Sequence, residues 1–232
     1  MLLLHGIGRS LEDWGPQYPR LAADHRVIAL DLPGSAFSER ASERTTLTVL
    51  ARSALETLDA LGEERPAHVI GNSLGGAIAQ QLLVLQPHRV ASLALVSSAG
   101  FGADVAFLLR ILSVPVLGRL MTLRTARASA KLAERMIFAD RRLVTSVRID
   151  HALAIAREPD SAAVMFETLR ALASFRGVKP GWRGDLTAFA GIGHTPQLEC
   201  PDEFAAIILP FVANVSAAKT RATRRRRAAT AS

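Results

Sequence analysis

Short apolar runs and longer stretches of helical periodicity take turns along the first hundred residues. Leu2–Leu4 is an apolar run closed by His5-Gly6-Ile7-Gly8, and Arg26–Leu30 is a second one closed by Asp31-Leu32-Pro33-Gly34. Runs of this length cut off by Gly and Pro fit strands buried on both faces. From Thr45 the period changes: Leu47, Leu50, Ala51, Ala54, Leu55, Leu58 and Leu61 recur at helical spacing, with Thr45 or Thr46 as the cap and Gly62 as the stop. Ala67–Ile70 then predicts a strand, Ser73–Leu85 a helix ended before Pro87, and Val90–Val96 a strand closed by Ser97-Ser98-Ala99-Gly100. Strand, helix, strand, helix, strand implies a parallel sheet with crossover helices.

After Gly100 the rhythm is helical. Val105–Leu112, Ala126–Phe138, Leu143–Arg157 and Ser161–Phe175 carry the pattern, and Pro115, Gly118, Pro159 and Gly177 punctuate it. Residues 101–180 therefore predict a helical insertion into a core made of 1–100 and 181–213. A strand is expected around Leu186–Ala190, followed by Gly191-Ile192-Gly193-His194 and a final helix from Pro201 to Val212. The Thr/Ala/Arg stretch of 214–232 has no apolar anchors and is expected to be a basic disordered tail.

Composition narrows the class. An apolar fraction of 49% over 232 residues can bury a substantial core and excludes disorder of the whole chain. The net charge of +7 suggests a polyanion partner only until the charges are located. Six basic and no acidic residues follow residue 213, which leaves 22 basic against 21 acidic side chains in 1–213. A domain-wide nucleic-acid footprint is not expected, and weak contact by the Arg224–Arg227 run is the exception. One cysteine, Cys200, excludes an internal disulfide and a multi-thiolate metal site. Met-Leu-Leu-Leu lacks the basic and apolar regions of a secretory leader, and the longest apolar stretches, such as Ala205–Ala213, are far shorter than a membrane span. A cytoplasmic protein with no membrane contact is the expectation.

The candidate chemistry sits between a strand and a helix. Gly71-Asn72-Ser73-Leu74-Gly75 matches the G-x-S-x-G pattern in the strand-turn-helix context that pattern requires. A sharp turn there would expose Ser73 Oγ and aim the Leu74 N–H at a developing oxyanion. A serine hydroxyl needs a base. Of the six histidines, His68 lies in a strand, His25 and His88 flank polar loops and His151 lies in a helical pattern, whereas His194 follows Gly191-Ile192-Gly193 at a loop. His194 is the candidate base. His5 is expected to orient the Gly6-Ile7-Gly8 loop, whose backbone can present a second N–H to the oxyanion. The same glycines fit neither G-x-G-x-x-G nor the Walker pattern, so no nucleotide cofactor is expected, and no metal.

In order, His5-Gly6-Ile7-Gly8, Asp31-Leu32-Pro33-Gly34, Gly71-Asn72-Ser73-Leu74-Gly75-Gly76 and Gly193-His194-Thr195-Pro196-Gln197-Leu198-Glu199 resemble the α/β-hydrolase superfamily over residues 1–213. The resemblance is to the branch of carboxylesterases, cofactor-free haloperoxidase-like proteins and hydrolases of carbon–carbon bonds. It implies an α/β fold with a mostly parallel sheet, crossover helices and a helical cap at 101–180. Ser73 matches the nucleophile, His194 the histidine, and Leu74 with Gly8 or Ile7 the oxyanion hole. Two departures are expected to leave the fold incomplete. The family's first strands would precede Leu2, and only ten residues run from Gly184 to His194 where the family places a strand, the triad acid, a helix and another strand. Asp104 and Asp185 are the substitute acids, with no acid at all the third case. Uncovered sheet edges would favour self-association. The function implied is a serine hydrolase of a small carboxylic ester or related carbonyl, with carbon–carbon bond cleavage and an inactive remnant or small-molecule binding protein as alternatives.

Overall fold

The computed structural model describes residues 1–99, 126–175 and 186–230. Strands β1 (Leu2–Leu4), β2 (Ile28–Leu30), β3 (Ala67–Asn72) and β4 (Val90–Val96) form a parallel sheet in the order β2-β1-β3-β4. Leu3 of β1 pairs with Ala29 on one side and Ile70 on the other, which makes the shortest run of the chain a central strand. Its composition follows from that position. Leu2 and Leu4 enter a core shared with Leu50, Ala54, Leu58, Ile78 and Leu82, while Leu3 points to the opposite core with Trp14, Ile70, Phe204 and Ile208. A strand covered on both faces needs apolar residues at every position rather than at alternate ones.

A 3-10 segment, Leu11–Gln17, and a short helix α1 (Tyr18–Leu21) follow β1. Helix α2 (Leu47–Ala60) starts where Thr46 Oγ1 accepts the Val49 N–H at 3.1 Å, and it ends at Gly62 with φ +69°. Helix α3 (Leu74–Leu85) packs beside α2 on the same side of the sheet. Helices α4 (Arg127–Ile137), α5 (Ser146–Arg157) and α6 (Ser161–Ser174) form the described part of the expected insertion. They meet the core through polar links: Glu167 accepts from Arg40 Nη2 and from Thr45 N–H, and Ser10 Oγ shares a 2.8 Å hydrogen bond with His151 Nε2. Helix α7 (Pro196–Glu199) and helix α8 (Pro201–Thr230) close the chain, and Phe204, Ile208 and Val212 of α8 fill the second core.

Two expectations are corrected. Leu186–Ala190 is not a strand: no ladder partner accompanies it among the described residues, Leu186 is 96% exposed, and Phe189 alone of the segment packs against the core. Residues 214–230 are not irregular chain, since their backbone continues α8 as far as Thr230. Packing of Phe204 to Val212 supplies the helix nucleus, and Ala and Arg are among the best residues for extending one. The helical pattern at Val105–Leu112 lies outside the described residues. Three phenylalanines of the helical segment pack: Phe138 is 2% exposed with the Arg148 guanidinium 5.2 Å from its ring centre, Arg170 covers Phe166, and Phe175 lies against the first core. No described helix is long and apolar enough to cross a membrane.

Candidate active site

Ser73 occupies the turn between β3 and α3 with φ 53° and ψ −108°, left-handed backbone that a residue with a Cβ avoids. Such strain persists only where neighbours leave no alternative, and it costs about 1–3 kcal/mol. The neighbours are identifiable. Ser73 N–H donates to Val96 O at 2.9 Å, and Ser73 O accepts from Ala99 N–H at 3.1 Å, so the end of β4 holds the turn from both sides. Gly71 and Gly75 let strand and helix meet: a Cβ on Gly71 would run into the Gly75 carbonyl, and one on Gly75 into the Leu4 carbonyl. Ser73 Oγ has no hydrogen-bond partner among the described residues. Leu74 opens α3, and its N–H has no carbonyl one turn earlier to bind.

The Gly6–Gly8 loop passes directly beside this turn. A Cβ on Gly6 would stand 3.5 Å from Ser73 Cβ and 3.3 Å from Asn72 Oδ1. Gly8 has φ +65°, and Met165 of α6 lies against it, with its Cε only 2.8 Å from where a Cβ would be. His5 fixes the start of the loop. Its Nδ1–H donates to Gly6 O at 2.7 Å and its Nε2 accepts the Leu32 N–H at 3.1 Å, so both ring nitrogens are occupied. Complete burial holds its pKa below the ordinary histidine value, and the ring stays neutral. It orients the loop, as expected, and is not placed to take a substrate proton. His5→Phe is expected to cost about 1–3 kcal/mol in urea unfolding at pH 7.5, because Leu32 N–H would remain buried without an acceptor. Unfolded His5 takes up a proton below about pH 6.5 while folded His5 resists it, so wild-type stability falls as pH drops through that range. The variant should show a shallower fall.

His194 lies on the far side of the turn, carried by the loop between residues 190 and α7. Asn72 Nδ2 donates to His194 O at 3.0 Å, which ties the histidine's backbone to the residue preceding Ser73. His194 N–H donates to Ile137 O at the end of α4, 2.8 Å away. The residue is open to solvent, yet the atoms crowded around its imidazole lower its pKa, and the Arg9 guanidinium lowers it further. A neutral imidazole at neutral pH is the form that can accept a proton. Among the described residues no carboxylate bonds its ring, and no hydrogen bond joins it to Ser73 Oγ. Asp104 and Asp185 lie outside the described residues. No group of three or more His, Cys, Asp or Glu among the described residues could hold a metal ion.

Sequence reading missed the groups that hold these parts together. Arg9 donates to both oxygens of Asp13, at 2.7 and 2.6 Å, and pairs with Glu134 of α4. The three side chains are 11%, 4% and 1% exposed, which places a charge cluster between the Gly6–Gly8 loop and the helical segment. Glu199 accepts backbone N–H groups from Gly193, Ala139 and Asp140. The partners of Arg9 and Glu199 lie up to 125 residues away, beyond the reach of any periodicity. Asn72 stood inside the serine motif, and only its two long-range bonds, to Val96 O and His194 O, reveal its task.

A parallel sheet that delivers a strained serine at a strand-to-helix turn, a glycine loop beside it and a histidine loop tied to it defines a fold class. The chain belongs to the α/β hydrolase fold family, whose model matches residues 1–196. It is 46% identical over 105 residues to the dihydrolipoyllysine-residue acetyltransferase component of the acetoin cleaving system of Pseudomonas putida, covering 45% of this chain and 28% of that protein. It is 39% identical over 104 residues to the 2-hydroxymuconate semialdehyde hydrolase of Pseudomonas sp. (strain CF600), covering 43% of this chain and 36% of that one. The chain spans from about a quarter to about half the length of the curated relatives it matches. Among solved structures, the meta-cleavage product hydrolase of Pseudomonas fluorescens IP01 superposes with a TM-score of 0.75 at 22% identity, over 92% of this chain and 90% of that one. That likeness is one of fold.

Proposed function

We propose that the protein is a serine hydrolase acting on a small carboxylic ester or a related carbonyl compound, with helices α4–α6 as part of the cap over its pocket. The observation that carries this reading is the backbone of Ser73, held at φ 53° between β3 and α3 with the Gly6–Gly8 loop on one side and the His194 loop on the other. Strain of this kind at a half-buried hydroxyl with no hydrogen-bond partner among the described residues brings no evident gain to folding, and it supports a role for Ser73 as a presented nucleophile. Ser73 Oγ would attack the carbonyl carbon as His194 accepts its proton. The oxyanion would be met by Leu74 N–H and by Gly8 or Ile7 N–H. His194 would then return the proton to the leaving alcohol, and would activate the water that releases the acyl group and regenerates Ser73.

Cleavage of a carbon–carbon bond by the same residues is the second reading, favoured by the match to the 2-hydroxymuconate semialdehyde hydrolase. The substrate decides between them. Purified protein is assayed on p-nitrophenyl acetate and butyrate, and separately on a vinylogous 1,5-diketone ring-fission compound. Turnover of the esters supports the first reading and turnover of the diketone alone supports the second. Binding of either compound without turnover would leave a small-molecule binding protein.

A further inference from the structure

We propose that Glu199 is a positioning residue for His194, clamping the histidine loop to helix α4 and the residues just after it so that the imidazole is held above the serine turn through its backbone. The inference rests on the serine hydrolase reading and assigns a role that the reading leaves open, namely what aims the base.

The geometry is a chain of backbone contacts on either side of His194. Glu199 Oε1 accepts Gly193 N–H at 2.8 Å, and Oε2 accepts Ala139 N–H at 2.9 Å and Asp140 N–H at 3.2 Å. One carboxylate therefore binds the residue before the histidine and two residues of the helical segment. His194 itself donates to Ile137 O and accepts from Asn72 Nδ2, so the same segment holds the loop a second time and the serine turn holds it a third. Gly193 has no room for a side chain, since a Cβ would stand 2.7 Å from Ala139 N. Loop and segment are in direct contact here, and Glu199 supplies the acceptors for the N–H groups brought together at the seam. Only a carboxylate fits three donors, because it accepts with both oxygens and donates with neither.

A clamp that sets the height of the imidazole also sets its surroundings. The charged groups packed around the loop are Arg9 with its partners Asp13 and Glu134, Glu199 itself, and Arg135, Asp140 and Arg141 of the segment. The atoms crowded around the imidazole and the nearby Arg9 charge hold the His194 pKa down. A loosened loop gives the ring more water and more distance from Arg9, and its titration returns toward the ordinary histidine value of about 6.5.

The test compares wild type, Glu199→Gln and Glu199→Asp as full-length proteins, by ester turnover and by NMR titration of the His194 ring protons. The glutamine keeps the shape but turns an N–H₂ group toward a backbone N–H. It is expected to lower kcat about tenfold to a hundredfold with KM little changed, as a misplaced base does, and to raise the His194 titration by about half a pH unit or more. Aspartate keeps the charge at a shorter reach and should fall between the two. Unchanged turnover per folded molecule together with an unchanged titration in Glu199→Gln would overturn the proposal, and Glu199→Asp serves the same comparison if the glutamine variant does not fold. The titration needs no activity. A wild type that turns over nothing defeats the hydrolase reading, while the NMR comparison still decides whether Glu199 sets the imidazole's place.

Discussion

Ser73→Ala should slow ester turnover by at least about 10³-fold while leaving the fold intact; loss of the nucleophile in a well-studied serine protease costs about 10⁶ in kcat. The substitution is clean for a structural reason. Ser73 Oγ bonds to no described residue, so removing it breaks no hydrogen bond among them, and alanine keeps the Cβ that makes the turn strained. Stability in urea should therefore change by no more than about 0.5 kcal/mol. Ser73→Gly is the informative companion. It removes the hydroxyl and also the steric cost of a positive φ, so it should be as inactive as alanine yet more stable by about 1 kcal/mol. A Ser73→Ala protein that retained a tenth of wild-type turnover would place the chemistry elsewhere.

The largest expected effect on stability comes from Arg9→Met. Arg9 is the cation for two carboxylates, Asp13 and Glu134, that are almost completely buried. Exposed ion pairs contribute about 0–1 kcal/mol, but removal of one partner from a buried pair leaves an uncompensated charge and costs about 3–5 kcal/mol. The second figure applies here, because Glu134 Oε2 already lacks a hydrogen-bond partner and depends on the guanidinium bound to its sister oxygen. Urea unfolding at pH 7.5 measures the loss. Adding Glu134→Gln to Arg9→Met removes one of the stranded charges, so the double variant should lose less than the sum of the single ones. A loss below about 1 kcal/mol for Arg9→Met would mean that the cluster is solvated like a surface pair.

Much of the fold was legible because it is local. Leu2–Leu4 is apolar throughout, and Ala67–Asn72 and Val90–Val96 are largely so, since the sheet carries a core on each face, and the leucines of Leu47–Ala60 keep helical spacing since one face meets the core. The serine turn was legible for the same reason, as its glycines are required by contacts within a few residues and with the end of β1. The 3-10 segment at Leu11–Gln17 was not, because it has no 3.6-residue period to read. Leu186–Ala190 has the composition of a strand but pairs with no described residue, and pairing is a tertiary property. The tail misled in the opposite direction, lacking apolar anchors of its own but continuing a helix nucleated at Phe204. In the site, residue types singled out Ser73 and His194 as the candidates. What supports them, Asn72, Glu199 and the Arg9 cluster, is built from contacts between distant segments.

The most direct test of a working Ser73–His194 pair is covalent labelling of the purified protein with a fluorophosphonate probe, followed by peptide mass spectrometry to locate the adduct. Phosphonylation requires a hydroxyl that a neighbouring base activates, so the adduct is expected on Ser73, absent from Ser73→Ala and formed far more slowly in His194→Ala. An unlabelled, folded wild type, or an adduct on another serine such as Ser97 or Ser98, would contradict it.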